Sequence, residues 1–157
     1  MKICVLVKQV PGSDSPLKIS NDQSWINEEN VNFITNESDN YAVEEALQLK
    51  EKLGEGEVVA VSLGPERAQR TIREALSKGA DRGIHIEESY PYASDPLQIA
   101  KTFASVLEGE QFDLILSGLQ SDDFGFGQVG VILGEMLGMS TATLVMETEL
   151  ADGKMKV

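Results

Sequence analysis

Residues 112–130 read FDLILSGLQSDDFGFGQVG. An apolar run closes on Ser117-Gly118, a polar loop follows, and the last six residues spell G-x-G-x-x-G. From Val129 onward, Val129, Ile132, Leu133, Met136 and Leu137 recur at helical spacing. Strand, glycine-bearing loop and helix in that order form the building unit of a parallel sheet. Whether the unit repeats along the chain decides the fold.

Working outward, the same alternation returns on the N-terminal side. KICVLV (2–7) is a β-rich apolar run, followed by a stretch of Pro, Gly, Ser and Asp that interrupts the first strand-to-helix connection. From Ser38 onward Ala42, Val43, Ala46, Leu47, Leu49 and Leu53 predict a helix, with Gly54 placed to stop it. EVVAVSLG (57–64) predicts the next strand, and PERAQRTIREALSKG a helix opened by Pro65 and closed by Gly79. GIHIE (83–87) is a third strand, and EESYPY (87–92) reads as a surface turn. Ser94 or Asp95 can cap a helix with Pro96 in its first turn. Beyond the opening stretch, TATLVMETEL (141–150) predicts a fifth strand, and KMKV (154–157) the start of one more.

Short apolar runs separated by single helices indicate parallel strands covered on both faces. The expected architecture is a doubly wound α/β three-layer sandwich with a mainly parallel sheet, formed as a single domain over residues 1–157. In such sheets ligands bind beyond the carboxyl ends of the strands, where strand order reverses. The loops after Val7, Ser62 and Ser117, and the turn into the helix at Ser38, are therefore the places to look.

Composition narrows the function classes. With 26 acidic against 13 basic side chains the net charge is −13, so a nucleic-acid backbone or an anionic membrane surface would be repelled. The N-terminus carries no signal-peptide h-region and no apolar run is long enough for insertion, so a cytoplasmic protein without membrane insertion is expected. Cys4 is the one cysteine and His85 the one histidine, which leaves little for a zinc site or a Ser/His/Asp triad. Cys4 reads as core packing, and His85, between Ile84 and Ile86, as structural.

The glycine motif allows three readings. A dinucleotide fingerprint joins strand to helix in one tight turn, and Glu147 or Glu149 would then supply the ribose-binding carboxylate; here LQSDDF intervenes. A plain loop with glycines as turn residues is the second reading. The third is a phosphate cradle, with glycines freeing backbone N–H groups and a helix N-terminus supplying the positive dipole end. Asp122 and Asp123 then face ribose hydroxyls or a metal, or are solvated turn carboxylates. Lys8 either reaches a phosphate or is an ordinary strand end. Asp39 is placed for a ribose or adenine contact, while Asn36 or Ser38 serves as a helix cap. Trp25 covers a sheet edge or meets another subunit.

MKICVLVKQVP, NESDNYAVEEALQLKE, VVAVSLGPERAQRTIREALSKGADRGIHI and DLILSGLQSDDFGFGQVGVILGEMLGM, taken in order, resemble the small (beta) subunit of electron transfer flavoprotein, the FixA type. The resemblance covers nearly the whole chain. It implies a fold like that of the adenine nucleotide alpha hydrolases and a subunit that carries electrons without bond-making chemistry of its own. It also implies an alpha subunit as partner, FAD as the redox group of the pair, and an acyl-CoA or other dehydrogenase as electron donor. AMP, or a second FAD in electron-bifurcating members, would lie in the carboxyl-end crevice. Carried over by position, its contacts fall at Leu6, at Asn36, Glu37, Ser38 and Asp39, at Leu63, and along Ser121, Asp122, Asp123, Phe124, Gly125, Phe126, Gly127, Gln128, Val129, Gly130, Val131 and Ile132, with Lys8 as a phosphate-reaching candidate.

The chain departs from the family pattern at Glu37, where proline is usual, at Leu119, where a basic residue is common, and in the shortened aspartate run before Phe124-Gly125-Phe126. Those departures leave AMP and FAD both open. Family members continue beyond the point matching Val157, so the sequence is expected to be C-terminally truncated. The competing classes are an NAD-binding Rossmann oxidoreductase domain and an ATP-binding stress-protein-like module.

Overall fold

The computed structural model describes residues 1–89, 94–151 and 153–157, so most of the expected turn at EESYPY lies outside the described residues. Four strands form one parallel sheet: β1 (Lys2–Leu6), β4 (Glu57–Gly64), β5 (Arg82–Glu87) and β6 (Leu114–Ser117), in the order β5-β4-β1-β6. Ile3 sits opposite both Val58 and Leu114, so β1 is the hydrogen-bonded centre. Side chains alternate across each strand; the central strands β1 and β4 bury both faces, while the edge strands β5 and β6 are half-buried. Ile3, Val5, Val58 and Ala60 pack on α1 (Glu37–Leu53) and α2 (Gln69–Lys78). On the opposite face Cys4, Leu6, Val59 and Val61 pack on α3 (Pro96–Leu107) and α4 (Val129–Met136). The result is the expected three-layer sandwich. Each fully buried Val, Leu or Ile contributes roughly 1.5–3 kcal/mol, so the stability resides in the sheet and its two helix layers.

The helix boundaries follow the predicted chemistry in most places. Gly54 ends α1 with φ +72°, a conformation that a side chain would strain. Asp95 caps α3 by accepting from the Gln98 amide at 2.8 Å, with Pro96 at the first helical position. Pro65, however, precedes a 3-10 turn over Glu66–Ala68, and the α-helix proper starts only at Gln69. Between β1 and α1 the interrupting stretch folds back on itself. Its ends pair as β2 (Gln9–Pro11) and β3 (Phe33–Thr35), antiparallel, and Ile19 bridges Ile26 further out.

The expected fifth strand does not form over TATLVMETEL. Leu144 adopts φ +57°, which breaks an extended run, and Leu144 and Met146 are 75% and 98% exposed. Only β7 (Glu149–Ala151) is extended there, and it pairs antiparallel with β8 (Lys154–Lys156) as a separate hairpin. β-branched composition made this segment look like a strand, but it finds no register on the edge of β6.

Candidate functional site at the strand-order reversal

From β1 the chain steps outward to β4 and β5, then returns to lay β6 against the other side of β1. The reversal therefore lies between the carboxyl ends of β1 and β6, where two neighbouring connections leave in opposite directions and open a crevice. A cleft of about 1000 Å³ begins there and continues as a groove along the outer edge of β6.

Asp39 occupies the bottom of the crevice. Its Oδ2 accepts from the Lys8 amide at 2.7 Å and its Oδ1 from the Gly118 amide at 3.0 Å, so one carboxylate ties the ends of β1 and β6 together. Burial pushes its pKa up to about 6, against the pull of these amides, of Asn36 and of the Lys8 charge. Asp39, expected at a ribose or adenine contact, thus accepts one backbone amide on each of its two oxygens. Gly118 must be glycine for this arrangement, because a Cβ there would stand 2.3 Å from Asp39 Oδ1 and from Ser38 Oγ.

Asn36 stands at the N-cap position of α1, yet its side chain makes no capping bond. It is turned across the crevice: Nδ2 donates to Gln120 O and Ser38 Oγ, both at 2.9 Å, and Oδ1 accepts from the Asp122 amide at 3.0 Å. Ser38 Oγ donates to the same Gln120 O at 3.0 Å. The sequence reading of these residues as caps is thus corrected. A buried amide with donors and an acceptor matches the mixed polarity of a loop backbone, and the loop wins it from the helix terminus.

Above this base, Lys8 Nζ lies 2.6 Å from Asp123 Oδ1, 3.2 Å from Ser121 Oγ and 4.5 Å from the centre of the Phe124 ring. Lys8 is therefore not a bare strand end but is engaged by the loop after β6. Phe124 and Phe126 stack with centroids 5.3 Å apart, and Trp25 meets Phe124 at 5.6 Å. Trp25 Nε1 also donates to Glu28, which pairs with Arg67. Arg67 in turn covers the Phe33 ring at 3.6 Å and donates to Gln9 Oε1 at 2.8 Å. The Arg67 guanidinium holds the Glu28 carboxyl below its usual range. The excursion from β1 thereby reaches across the mouth of the crevice, and Trp25 packs on the loop rather than on a sheet edge. No spacing in the sequence announces that contact, since Trp25 and Phe124 belong to unrelated segments.

Of the residues picked from sequence, Leu6, Lys8, Asn36, Asp39, Leu63, Ser121, Asp123, Phe124, Phe126, Gly127, Val129, Gly130 and Val131 line the cleft. Glu37, Ser38, Asp122, Gly125, Gln128 and Ile132 do not; Ser38 holds the loop, Asp122 is held within it by Asn36, and Ile132 packs into the core. Gln9, Phe33 and Arg67 also line the cleft with no signal in the sequence, as does Trp25, expected at a sheet edge or another subunit, and Gln120 from the loop itself. The strand-to-helix connection runs from Gly118 to Gln128, far longer than the tight turn of a dinucleotide fingerprint. Gly125 alone of the motif glycines is left-handed, at φ +67°, while Cβ atoms at Gly127 and Gly130 would approach Leu119 O at 3.2 Å and Ser117 Oγ at 3.0 Å. Close packing against the end of β6 therefore accounts for these two glycines.

The remaining singled-out side chains are structural. Cys4 is fully buried, and burial pushes its thiol pKa up. His85 Nε2 donates to Gly64 O at 2.9 Å, since a carbonyl only accepts. Among the described residues no group of three or more His, Cys, Asp and Glu is arranged to hold a metal, and no helix is long and apolar enough to cross a membrane.

With this geometry in place, comparison with known proteins becomes specific. The family model described as electron transfer flavoprotein domain matches residues 24–157. The chain belongs to the electron transfer flavoprotein family. It is 40% identical over 157 residues to an electron transfer flavoprotein subunit beta of Bradyrhizobium diazoefficiens, covering 100% of this chain and 62% of that protein. The protein of the same description from Homo sapiens is 37% identical over 159 residues, again with 100% and 62% covered. That from Mycobacterium tuberculosis is 36% identical over 157 residues, covering 97% of this chain and 59% of the relative. The chain thus spans about three-fifths of the length of the curated relatives it matches. In this electron transfer flavoprotein sequence, the family resemblance coincides with the crevice: the segments before α1 and after β6 that carried it are the two that Asn36 and Asp39 bind together.

Proposed function

We propose that this chain is the nucleotide-holding part of an electron transfer flavoprotein beta subunit. AMP, or a second FAD, occupies the crevice at the reversal between β1 and β6. Together with an alpha subunit it carries electrons, through FAD, from an acyl-CoA or other dehydrogenase, and it performs no bond-making chemistry itself. A redox flavin supplies the electron storage in such a pair; the groups of this chain bind and orient.

The observation that carries the reading is the build of the loop over Gly118–Gln128. Asp39, Asn36 and Ser38 grip it from beneath through its backbone, and it delivers the chain directly into the N-terminus of α4. The Gln128 side chain makes no capping bond there. The first N–H groups of a helix have no intrahelical acceptors, and their dipole end favours an anion. A phosphate fits that position, and the amides of Val129, Gly130 and Val131 would receive it. Leu6 and Leu63 would form an apolar floor, and Phe124 and Phe126 offer ring faces to a base. Asp122 and Asp123 are suited to ribose hydroxyls, and Lys8 to a phosphate once it exchanges Asp123 for it.

The test is to denature the purified chain, alone and with its alpha subunit, and identify the released small molecule by absorbance and mass. Release of AMP or FAD supports the proposal and separates its two forms. Release of NAD or ATP, or an empty site in the assembled pair, overturns it.

A further inference from the structure

We propose that Asp39 is a positioning residue for the loop that follows β6, and that it holds this loop only as a carboxylate, so that proton uptake by Asp39 loosens the loop. The inference rests on the crevice assignment above and adds a regulation of that same site.

Three geometric facts lead to it. First, the two oxygens of Asp39 each accept one backbone N–H, from Lys8 and from Gly118, at 2.7 and 3.0 Å. A carboxylate is acceptor-only and satisfies both with charge-assisted bonds; on protonation one oxygen becomes a neutral hydroxyl, a poorer acceptor for the amide it faces, and that bond weakens. Second, Gly118 is the hinge from which the loop leaves β6, and its Cα approaches Asp39 and Ser38 so closely that no Cβ fits. A change at Asp39 is therefore felt at the start of the loop rather than absorbed in solvent. Third, Asp39 is buried, and among the described residues no ion pair forms to it. The cation nearest in influence is Lys8, whose ammonium is engaged by Asp123.

The charged side chains on the segments that meet at Asp39 are few. Lys8 comes from the end of β1, Asp122 and Asp123 from the loop after β6, and Glu37 from α1 itself, where it is exposed. Neither the Lys8 charge nor the hydrogen bonds from Lys8, Asn36 and Gly118 offset burial, which raises the titration of Asp39 to about 6. The carboxylate thus loses its charge within the range over which cells and compartments vary. Asn36 and Ser38 bonds to Gln120 and Asp122 persist on protonation, so the loop pivots at Gly118 rather than detaching.

The experiment is an amide NMR titration of the chain without nucleotide, from about pH 7.5 to pH 4.5, in the wild type and in Asp39→Asn. Lys8, Gly118 and Gly125 are expected to shift together with one midpoint near 6, and to stay flat in the variant. If Asp39→Asn does not fold, the carboxyl ¹³C resonance of Asp39 in the wild type provides the same midpoint directly. A Lys8 or Gly118 response centred near the ordinary aspartate value, or no response, overturns the inference. AMP affinity supplies the second readout. With a midpoint near 6, binding that needs the ionised form is about tenfold weaker at pH 5 than at pH 7.5. AMP's own phosphate takes up a proton in this range, so the tenfold loss is measured relative to Asp39→Asn. AMP binding with silent amides would refute the latch and leave the nucleotide site standing. Titrating amides with no nucleotide bound would do the reverse.

Discussion

Asp39 should make the folded chain less stable as pH rises from about 4 to about 6. Burial raises its folded-state pKa from the ordinary aspartate value of 3.8 to about 6, while in the unfolded chain it titrates near the ordinary value. Between the two, the folded state binds a proton that the unfolded state has already lost. Stability then falls with rising pH across this window, and the contribution is gone above the folded value. At about 1.4 kcal/mol per pKa unit, the gap corresponds to roughly 3 kcal/mol. The residue is only 6% exposed, so solvent screening does not erode that figure as it would at the surface. Other carboxylates act in the opposite sense. Glu110, held down to about 2 by Arg82 and Lys2, and Glu28, held low by Arg67, contribute stability that is present above the ordinary glutamate value and lost as pH falls. Wild type alone would therefore show a curve of mixed origin. The difference between wild type and Asp39→Asn isolates the one group, because the amide does not titrate. Urea unfolding of both proteins at fixed ionic strength, at about pH 4, 5, 6 and 7.5, should give a difference that changes by roughly 2.5 kcal/mol, most of it below pH 6. A difference that stays constant within about 0.5 kcal/mol would refute the reasoning from burial.

Two further substitutions probe the same crevice. Gly118→Ala forces a Cβ against Asp39 and Ser38 and should destabilise by about 1–3 kcal/mol through overpacking, seen as a lower urea midpoint at unchanged slope; an unchanged midpoint would mean that the strand ends separate easily. Phe124→Ala removes the ring between Trp25 and Phe126 and should cost about 0.5–1.5 kcal/mol beyond the lost burial, with the Trp25 emission moving to longer wavelength as the indole gains water. Emission that does not move would contradict the placement of Trp25 over the loop.

The alternation of apolar runs and amphipathic stripes was sufficient to predict a parallel sheet with helices on both faces, because strand period, helix period and terminating glycines are local properties of the chain. Gly54, Gly79 and the Asp95-Pro96 pair acted where their local chemistry required. The family resemblance likewise located the two segments that meet at the crevice. Composition failed at Thr141–Thr148, where strand-forming residues lack a partner edge, since β-structure depends on neighbours outside the segment. Side-chain roles failed for a related reason. Asn36 and Ser38 have the chemistry of caps, and only the approach of Gln120 and Asp122 from a segment more than eighty positions away redirects them. Asp39 was legible as polar and well placed, but its burial and its grip on Lys8 and Gly118 arise from the reversal of strand order, a property of the assembled sheet. Local periodicity can determine which elements form, whereas long-range packing decides which buried polar group finds which backbone, because desolvation penalises every donor and acceptor left without a partner.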